Sequence, residues 1–75
     1  MQRYLRIRVE DLESCRECAD GLEALLRSLA GVADAIVDAD TGSVYAHYDP
    51  GRLTESRIRT EMRRGGYAPG PSIAY

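Results

Sequence analysis

The apolar residues at the start of the chain occupy every second position over residues 4–10. This period of two is typical of a β-strand with one buried face, and it places three aliphatic side chains on that face. From residue 16 to about residue 30 the apolar residues recur at helical spacing instead, and Gly31 supplies a C-terminal stop. The chain is therefore predicted to begin with a strand followed by a helix.

The rest of the chain continues this sequence of elements. Alternating residues predict strands over 33–40 and 43–48, joined by a hairpin turn with a central Thr-Gly pair. A second amphipathic helix is predicted over 54–64, with a threonine as its N-cap. A last strand is predicted over 67–73, and its two prolines confine it to the edge of a sheet.

The predicted order is strand, helix, strand, strand, helix, strand. This is the ferredoxin-like βαββαβ sandwich of the α+β class, in which a four-stranded antiparallel sheet carries both helices on one face. At 75 residues the chain fits a single domain, with a core over about 3–68 and residues 69–75 as an irregular edge strand or tail. Many unrelated proteins share this arrangement, so it implies no function by itself.

Composition narrows the class of protein only a little. Charged residues make up 29% of the chain and hydrophobic residues 44%, which is typical of a globular domain, and a net charge of -2 indicates no particular partner. No apolar run approaches the roughly 18 residues that cross a bilayer, and the N-terminus does not read as a signal peptide. We therefore expect a cytoplasmic domain without membrane insertion. The sequence contains no set of residues that predicts an enzyme.

Cys15 and Cys18 are the only cysteines, and they stand where the first strand gives way to the first helix. Their spacing lets two sulfurs converge on a soft metal ion, or on each other as a disulfide. Reducing conditions in the cytoplasm argue against a structural disulfide, and a thioredoxin-like redox enzyme needs a longer fold. Two thiolates alone suit Cu(I) better than Zn(II), which usually takes four ligands.

The neighbours of the two cysteines modify this prediction. Ser14 and Glu17 have the spacing of a capping box, which would start the helix at the first cysteine. The helix N-terminus, together with Arg16, would favour the thiolate form that binds metal. Glu13 is either a solvated loop charge or a hard oxygen ligand, and in the second case it would assist a Zn(II), Cd(II) or Hg(II) site.

With the cysteine pair at this junction, the chain resembles the heavy-metal-associated domain of copper chaperones and of the N-terminal regions of metal-transporting P-type ATPases. The resemblance runs without a gap from about Tyr4 to Tyr67. The matching positions are Cys15, Cys18, Leu22, Leu26, Leu29, Gly31, Val32, Thr41, Gly42, Tyr48, Asp49, Pro50, Ile58, Met62, Gly66 and Tyr67. The chain departs from the family at Leu12, Glu13, Arg16 and Glu17, where the family usually carries Gly, Met and two small neutral residues.

The resemblance implies a function for the pair. It implies that Cys15 and Cys18 bind one soft metal ion, with Cu(I) favoured and Zn(II) or Cd(II) as alternatives. The ion would pass by thiolate exchange to a metal-transporting ATPase or another CxxC domain, whether the chain is a free chaperone or an ATPase domain. Leu12 would pack under the loop in place of the family's Met. Tyr67 would either cover the metal or serve as an aromatic residue at the core edge, and a monomer is expected without metal.

RNA-recognition domains have the same element order and stack bases on the outer face of the sheet. That face would here carry Tyr4, Arg6, Arg8, Tyr45 and His47. The third predicted strand lacks the Gly- and aromatic-rich signature of those domains, and the net charge is negative. No nucleic-acid partner is therefore expected, and RNA binding is the alternative from a different class.

Overall fold

The structure, a computed structural model, describes residues 2–74 apart from the side chains of Glu13 and Ala74. Its strands are β1 (Arg3–Val9), β2 (Val32–Asp38), β3 (Ser43–Tyr48) and β4 (Pro69–Ala74). Its helices are a 3-10 turn (Leu12–Ser14), α1 (Arg16–Arg27) and α2 (Glu55–Arg64). The order of strands and α-helices confirms the predicted βαββαβ arrangement. No helix within the described residues has the length and apolar character needed to span a membrane.

The four strands form one antiparallel sheet in the order β2-β3-β1-β4. This is the predicted ferredoxin-like topology, with the proline-containing strand β4 at an edge. Pro69 and Pro71 have no backbone N–H to donate, and an edge strand tolerates that loss. The β1–β4 register also shifts between Ile7 and Val9, so β4 pairs less regularly than the inner strands.

The bounds of some elements differ from the prediction. Helix α1 ends at Arg27 rather than near residue 30, because Ser28 caps it and the chain then turns into β2. The strand predicted over 33–40 covers Val32–Asp38, and the last strand starts at Pro69 because the amide of Tyr67 still donates to the carbonyl of Met62 at the end of α2.

One hydrophobic core lies between the sheet and the two helices. The buried members of this cluster are Leu5, Ile7, Val9, Leu12, Ala19, Leu22, Leu26, Ala35, Val44, Tyr48, Leu53, Ile58 and Met62. They come from β1, β2 and β3, from both helices, and from the loops before α1 and α2. Because one continuous cluster includes both helices, both lie on the same face of the sheet, as predicted.

Side chains occupy backbone groups at the free edge of β2. The Nε of Arg27 donates to the carbonyl oxygen of Ala35 at 3.2 Å, and the amide of Ala35 donates to Oδ1 of Asp34 at 2.9 Å. Arg27 also forms ion pairs with Asp34 and Glu23. Both polar backbone groups of Ala35 are therefore satisfied at the edge of the sheet.

A polar clamp holds β4 against α2. Oε2 of Glu55 accepts a hydrogen bond from Oγ of Ser72 at 2.6 Å and from Nε of Arg59 at 3.1 Å. Nη2 of Arg59 donates to the carbonyl oxygen of Gly70 at 2.7 Å. The hydrogen bond from Ser72, followed by that from Arg59, holds the pKa of Glu55 below its ordinary value.

The outer face of the sheet exposes apolar and aromatic side chains. Tyr4, Ile36, Tyr45 and Ile73 are all at least 40% exposed. The ring of Tyr4 stacks on that of His47, with ring centroids 4.2 Å apart. Each of these two rings therefore covers one face of the other. The expectation that no nucleic acid binds this face stays a prediction.

Candidate metal centre

The loop that leads into α1 is held by a short turn and one buried leucine. Asp11 adopts a left-handed backbone conformation with φ of 63°. Its carbonyl oxygen accepts hydrogen bonds from the amide of Ser14 at 3.3 Å and from Oγ of Ser14 at 2.9 Å. Leu12 is 2% exposed and belongs to the core. It therefore packs under the loop, as the family resemblance implies.

The first cysteine itself caps the helix. Cys15 is the N-cap residue of α1, and its Sγ accepts a hydrogen bond from the amide of Cys18 at 3.1 Å. The predicted start of the helix is therefore confirmed, but the predicted capping box is wrong. The hydroxyl of Ser14 bonds back to the Asp11 carbonyl, so it does not cap α1. Glu17 lies in the first turn of α1 and is exposed, so its charge favours the helix dipole without reaching back to Ser14.

The structure brings Cys15 and Cys18 together at the N-terminus of α1. Their Cα atoms lie 5.2 Å apart, their sulfurs form a disulfide, and both residues are half-buried. The expectation from reducing conditions was a pair of free thiols, whereas the form described by this structure is the oxidised one. A disulfide across so short a loop constrains only the first turn of α1 and cannot link distant parts of the fold.

The structure describes only part of the charged surroundings of the cysteine pair. Arg16 is the first residue of α1 and is exposed. The prediction for the carboxylate of Glu13 falls outside the described side chains. Within the described part of the chain, no group of three or more His, Cys, Asp or Glu side chains could hold a metal ion. A role for Glu13 as a third ligand therefore stays a prediction.

Tyr67 contacts the backbone of the second cysteine. Its hydroxyl donates to the carbonyl oxygen of Cys18 at 3.0 Å, and its half-buried ring packs against the core. The sequence left two interpretations open, a cover over the metal or an aromatic residue at the core edge. The structure places the ring at the core edge and its hydroxyl on the first turn of α1.

An open pocket of about 260 Å³ lies beside the second cysteine. Its lining consists of Glu10, Asp11, Leu12, Cys18, Gly65, Gly66, Tyr67 and Ala68. Because the pocket joins the loop before α1 to the loop after α2, Cys18 can be approached from solvent at this end of the molecule. His47 lies on the outer face of the sheet, stacked on Tyr4, and is not among the residues around the pocket.

Two glycines of this region were not assigned a role from the sequence. They are Gly21, which lies in the middle of α1, and Gly65, which is the C-cap residue of α2. Both lie directly against Tyr67 in the structure. A glycine inside a strongly amphipathic helix was the one signal available, because such a residue usually marks a close approach.

Fold and site together define a class: small ferredoxin-like domains that present two neighbouring cysteines from the loop between the first strand and the first helix. No family model matches the chain. The copper chaperone CopZ of Staphylococcus aureus is 30% identical to it over 54 residues, which cover 72% of this chain and 79% of that protein. The chain belongs to the heavy-metal-associated domain family that includes this chaperone.

Solved structures support the same grouping. The N-terminal domain of a potential copper-translocating P-type ATPase from Bacillus subtilis, in its Cu(I)-loaded state, superposes with a TM-score of 0.84 at 26% identity. That match covers 92% of this chain and 85% of the other. A CopZ metallochaperone superposes with a TM-score of 0.82 at 27% identity, covering 89% of this chain and 98% of the other. The family resemblance inferred from the sequence is therefore confirmed.

Proposed function

We propose that this chain binds Cu(I) through the sulfurs of Cys15 and Cys18 and passes the ion to a partner protein. The observation that carries the proposal is the convergence of the two sulfurs at the N-terminus of α1, with Cα atoms 5.2 Å apart. Relatives that are named as copper chaperones or as copper-ATPase domains support the choice of metal and of role. Copper is the cargo in this proposal, and the domain has no catalytic role of its own.

Reduction comes before metal binding. A cellular thiol such as glutathione reduces the disulfide by exchange: two thiol equivalents are oxidised to their own disulfide, and Cys15 and Cys18 each gain a hydrogen. Cu(I) then binds both sulfurs as thiolates, and two protons are released to solvent. Binding adds one positive and two negative charges to the loop, so the bound site carries a net negative charge.

The start of the helix suits that negative charge. The N-terminal end of a helix carries partial positive charge, which stabilises anions placed there. Cys15 occupies the N-cap, and the amide of Cys18 donates to its sulfur. An N–H donor that already points at this sulfur stabilises a thiolate without further rearrangement.

Transfer follows from an incomplete set of ligands. Two thiolates leave coordination positions of Cu(I) open to an incoming thiolate from a metal-transporting ATPase or from another CxxC domain. The first partner thiolate binds to give a shared three-coordinate intermediate, and one sulfur of this chain then leaves. The partner's second thiolate binds next, and departure of the remaining sulfur of this chain completes the transfer. The open pocket beside Cys18 supports an approach from that side. We place this exchange in the cytoplasm, with the metal-free chain as a monomer.

Zn(II), Cd(II) and Hg(II) are the competing cargoes. In our proposal, the role of Glu13 determines whether the site prefers them or Cu(I). Its carboxylate stands two residues before Cys15 and would supply a hard oxygen that Zn(II) accepts and Cu(I) does not need. If Glu13 takes no part, the two sulfurs alone favour Cu(I).

Competitive titration tests the proposal. The reduced protein would be titrated against a chromophoric Cu(I) chelator and, separately, a chromophoric Zn(II) chelator, with Cys15→Ser, Cys18→Ser and the double variant as controls. We expect one Cu(I) per chain, weaker binding in each single variant, and none in the double variant. Copper binding that survives in the double variant, or no binding by the wild type, would overturn the assignment.

Two variants test the carboxylate of Glu13. Glu13→Gln keeps the size of the side chain and removes its charge, and Glu13→Met removes both oxygen atoms. If Glu13 is a ligand, both variants lose Zn(II) affinity and keep Cu(I) affinity. Equal Zn(II) affinity in all three proteins would show that the carboxylate is not a ligand.

A further inference from the structure

The absence of a side chain at Gly21 is what allows Tyr67 to reach Cys18 in the first turn of α1. A Cβ atom built on Gly21 would lie 2.9 Å from the hydroxyl oxygen of Tyr67. Real Cβ atoms do not make so close a contact, so any larger residue at this position would move the hydroxyl. Gly21 has no turn or helix end to form, since it lies in the middle of α1. Its small size serves this contact.

A second glycine borders the ring of Tyr67. A Cβ atom built on Gly65 would lie 3.2 Å from Cε2 of Tyr67 and 3.1 Å from Cδ2 of Leu25. One glycine lies in the middle of α1 and the other caps the end of α2, so the aromatic ring of Tyr67 fills a narrow space between the two helices.

The hydroxyl in this space ties the first turn of α1 to the loop after α2. It donates to the carbonyl oxygen of Cys18 at 3.0 Å, across a sequence separation of 49 residues. The amide of Tyr67 donates to the carbonyl oxygen of Met62 at 3.0 Å, which fixes the same residue to the last turn of α2. Met62 is fully buried. Tyr67 therefore anchors the turn that carries the second thiol to a rigid part of the core.

We propose that Gly21 is a positioning residue of the thiol site: it admits the Tyr67 hydroxyl to the Cys18 carbonyl, and this tie limits how readily the second sulfur moves away from its cargo. The part that concerns cargo rests on the proposed function. The tie also holds the hydroxyl on the backbone, where it is not a ligand to the ion. Gly21 then affects the rate of ligand exchange without being a ligand itself.

Replacement of Gly21 by alanine distinguishes the proposed positioning role from a role limited to helix stability, because the two roles predict opposite effects on metal release. Alanine favours the helix, so a role limited to helix stability predicts a firmer α1 and slower loss of metal. The proposal predicts the reverse, because the added methyl group displaces the hydroxyl and breaks the tie. Loss of one neutral hydrogen bond corresponds to about a threefold to tenfold change in a rate.

The experiment measures transfer of Cu(I) from the reduced, loaded protein to excess bathocuproine disulfonate, followed by absorbance. Gly21→Ala and Tyr67→Phe should each transfer copper about threefold to tenfold faster than wild type. The double variant should be no faster than either single variant, since both changes break the same tie. Ala24→Gly is the matched control. It weakens α1 at an exposed position that does not border the space around Tyr67, and it should keep the wild-type rate.

Hydrogen exchange on the reduced, metal-free proteins keeps the two proposals separable. The amide of Ala19 donates to the carbonyl oxygen of Cys15 at 3.2 Å, so it reports on the first turn of α1. Its exchange should be faster by a similar factor in Gly21→Ala and in Tyr67→Phe. If copper does not bind at all, the proposed function fails while this measurement still decides the role of Gly21.

Three results would overturn the inference. One is a Gly21→Ala protein with wild-type or slower transfer and unchanged exchange at Ala19. Another is a double variant in which the two effects multiply. The third is an Ala24→Gly protein that releases copper as fast as Gly21→Ala, because helix stability alone would then explain the effect.

Discussion

The clamp between α2 and β4 predicts a pH-dependent part of the stability of the domain. Oε2 of Glu55 accepts hydrogen bonds from Ser72 at 2.6 Å and from Arg59 at 3.1 Å. Glu55→Gln keeps the shape of the side chain and a carbonyl oxygen that can accept both hydrogen bonds, while it removes the negative charge and replaces the other oxygen by an NH2 group. The variant therefore isolates the electrostatic part of the clamp.

The expected loss is moderate. A hydrogen bond to a charged group contributes about 1.5–3 kcal/mol against about 0.5–1.5 kcal/mol for a neutral one, so two such bonds give an upper limit near 3 kcal/mol. The side chain of Glu55 is 38% exposed, and solvent screening lowers this value. We expect a loss of about 1 kcal/mol at neutral pH, which corresponds to a urea midpoint lower by about 1 M for a domain of this size.

The pH dependence follows from the lowered pKa of Glu55. Because the folded-state pKa lies below the unfolded one, the unfolded chain takes up the proton first as the solution is acidified. The stabilisation is fully present above the ordinary glutamate pKa of about 4.3 and is lost as the pH falls through the folded-state pKa. The difference between wild type and Glu55→Gln should therefore shrink in this acidic range and stay constant between about pH 6 and pH 8.

Urea unfolding followed by far-ultraviolet circular dichroism, repeated from neutral to acidic pH, measures this difference. Glu61→Gln is the matched control on the same helix. Glu61 pairs with Arg57 at 3.6 Å and with Arg64 at 3.5 Å, and both arginines are largely exposed. Its loss should stay below that of Glu55→Gln. The reasoning fails if the Glu55→Gln difference persists unchanged at acidic pH, or if the control variant costs as much.

Three further substitutions test the packing and the loop by urea unfolding. Ser43→Ala should raise the free energy of unfolding by about 1 kcal/mol, because Ser43 is fully buried and its Oγ has no hydrogen-bond partner among the described residues; a loss instead would mean that the hydroxyl is satisfied. Ile58→Ala should lower it by about 2–5 kcal/mol, because Ile58 is fully buried in the core, and a smaller loss would indicate that the core closes around the gap. Asp11→Gly should raise it by about 0.5–1 kcal/mol by relieving the left-handed backbone, and should leave Cu(I) affinity in the chelator titration unchanged. A destabilised Asp11→Gly protein would show that its side chain has a structural role.

The fold was predictable because local signals and the burial pattern agree. Strand β3 has the predicted bounds, since its alternation is unbroken and turns flank it on both sides. Thr54 caps α2 as predicted, with its side chain accepting from the amide of Arg57 at 3.1 Å. In each case the deciding interaction lies within a few residues of the position that signalled it.

The details of the site were less predictable because they depend on the path of the chain in three dimensions. The sequence indicated Ser14 as the N-cap of α1, but after the left-handed Asp11 the hydroxyl of Ser14 bonds back to the Asp11 carbonyl, and Cys15 is the N-cap instead. The hydrogen bond from Tyr67 to Cys18 spans most of the chain, so no local pattern indicates it. The placement of the two cysteines at one helix start could be inferred, and the family resemblance implied roles for Leu12 and Tyr67, whereas the hydrogen bonds that hold the site could not be predicted.

The two edges of the sheet determine how this domain can meet another. Ala35 on the β2 edge has both backbone groups occupied by side chains, and β4 presents prolines that cannot donate. Neither edge therefore offers an easy template for a further strand, the route by which small sheets fuse or grow into fibrils. In the proposed transfer of Cu(I), this domain and its partner therefore meet through surfaces other than the sheet edges, and their encounter does not grow into one continuous sheet.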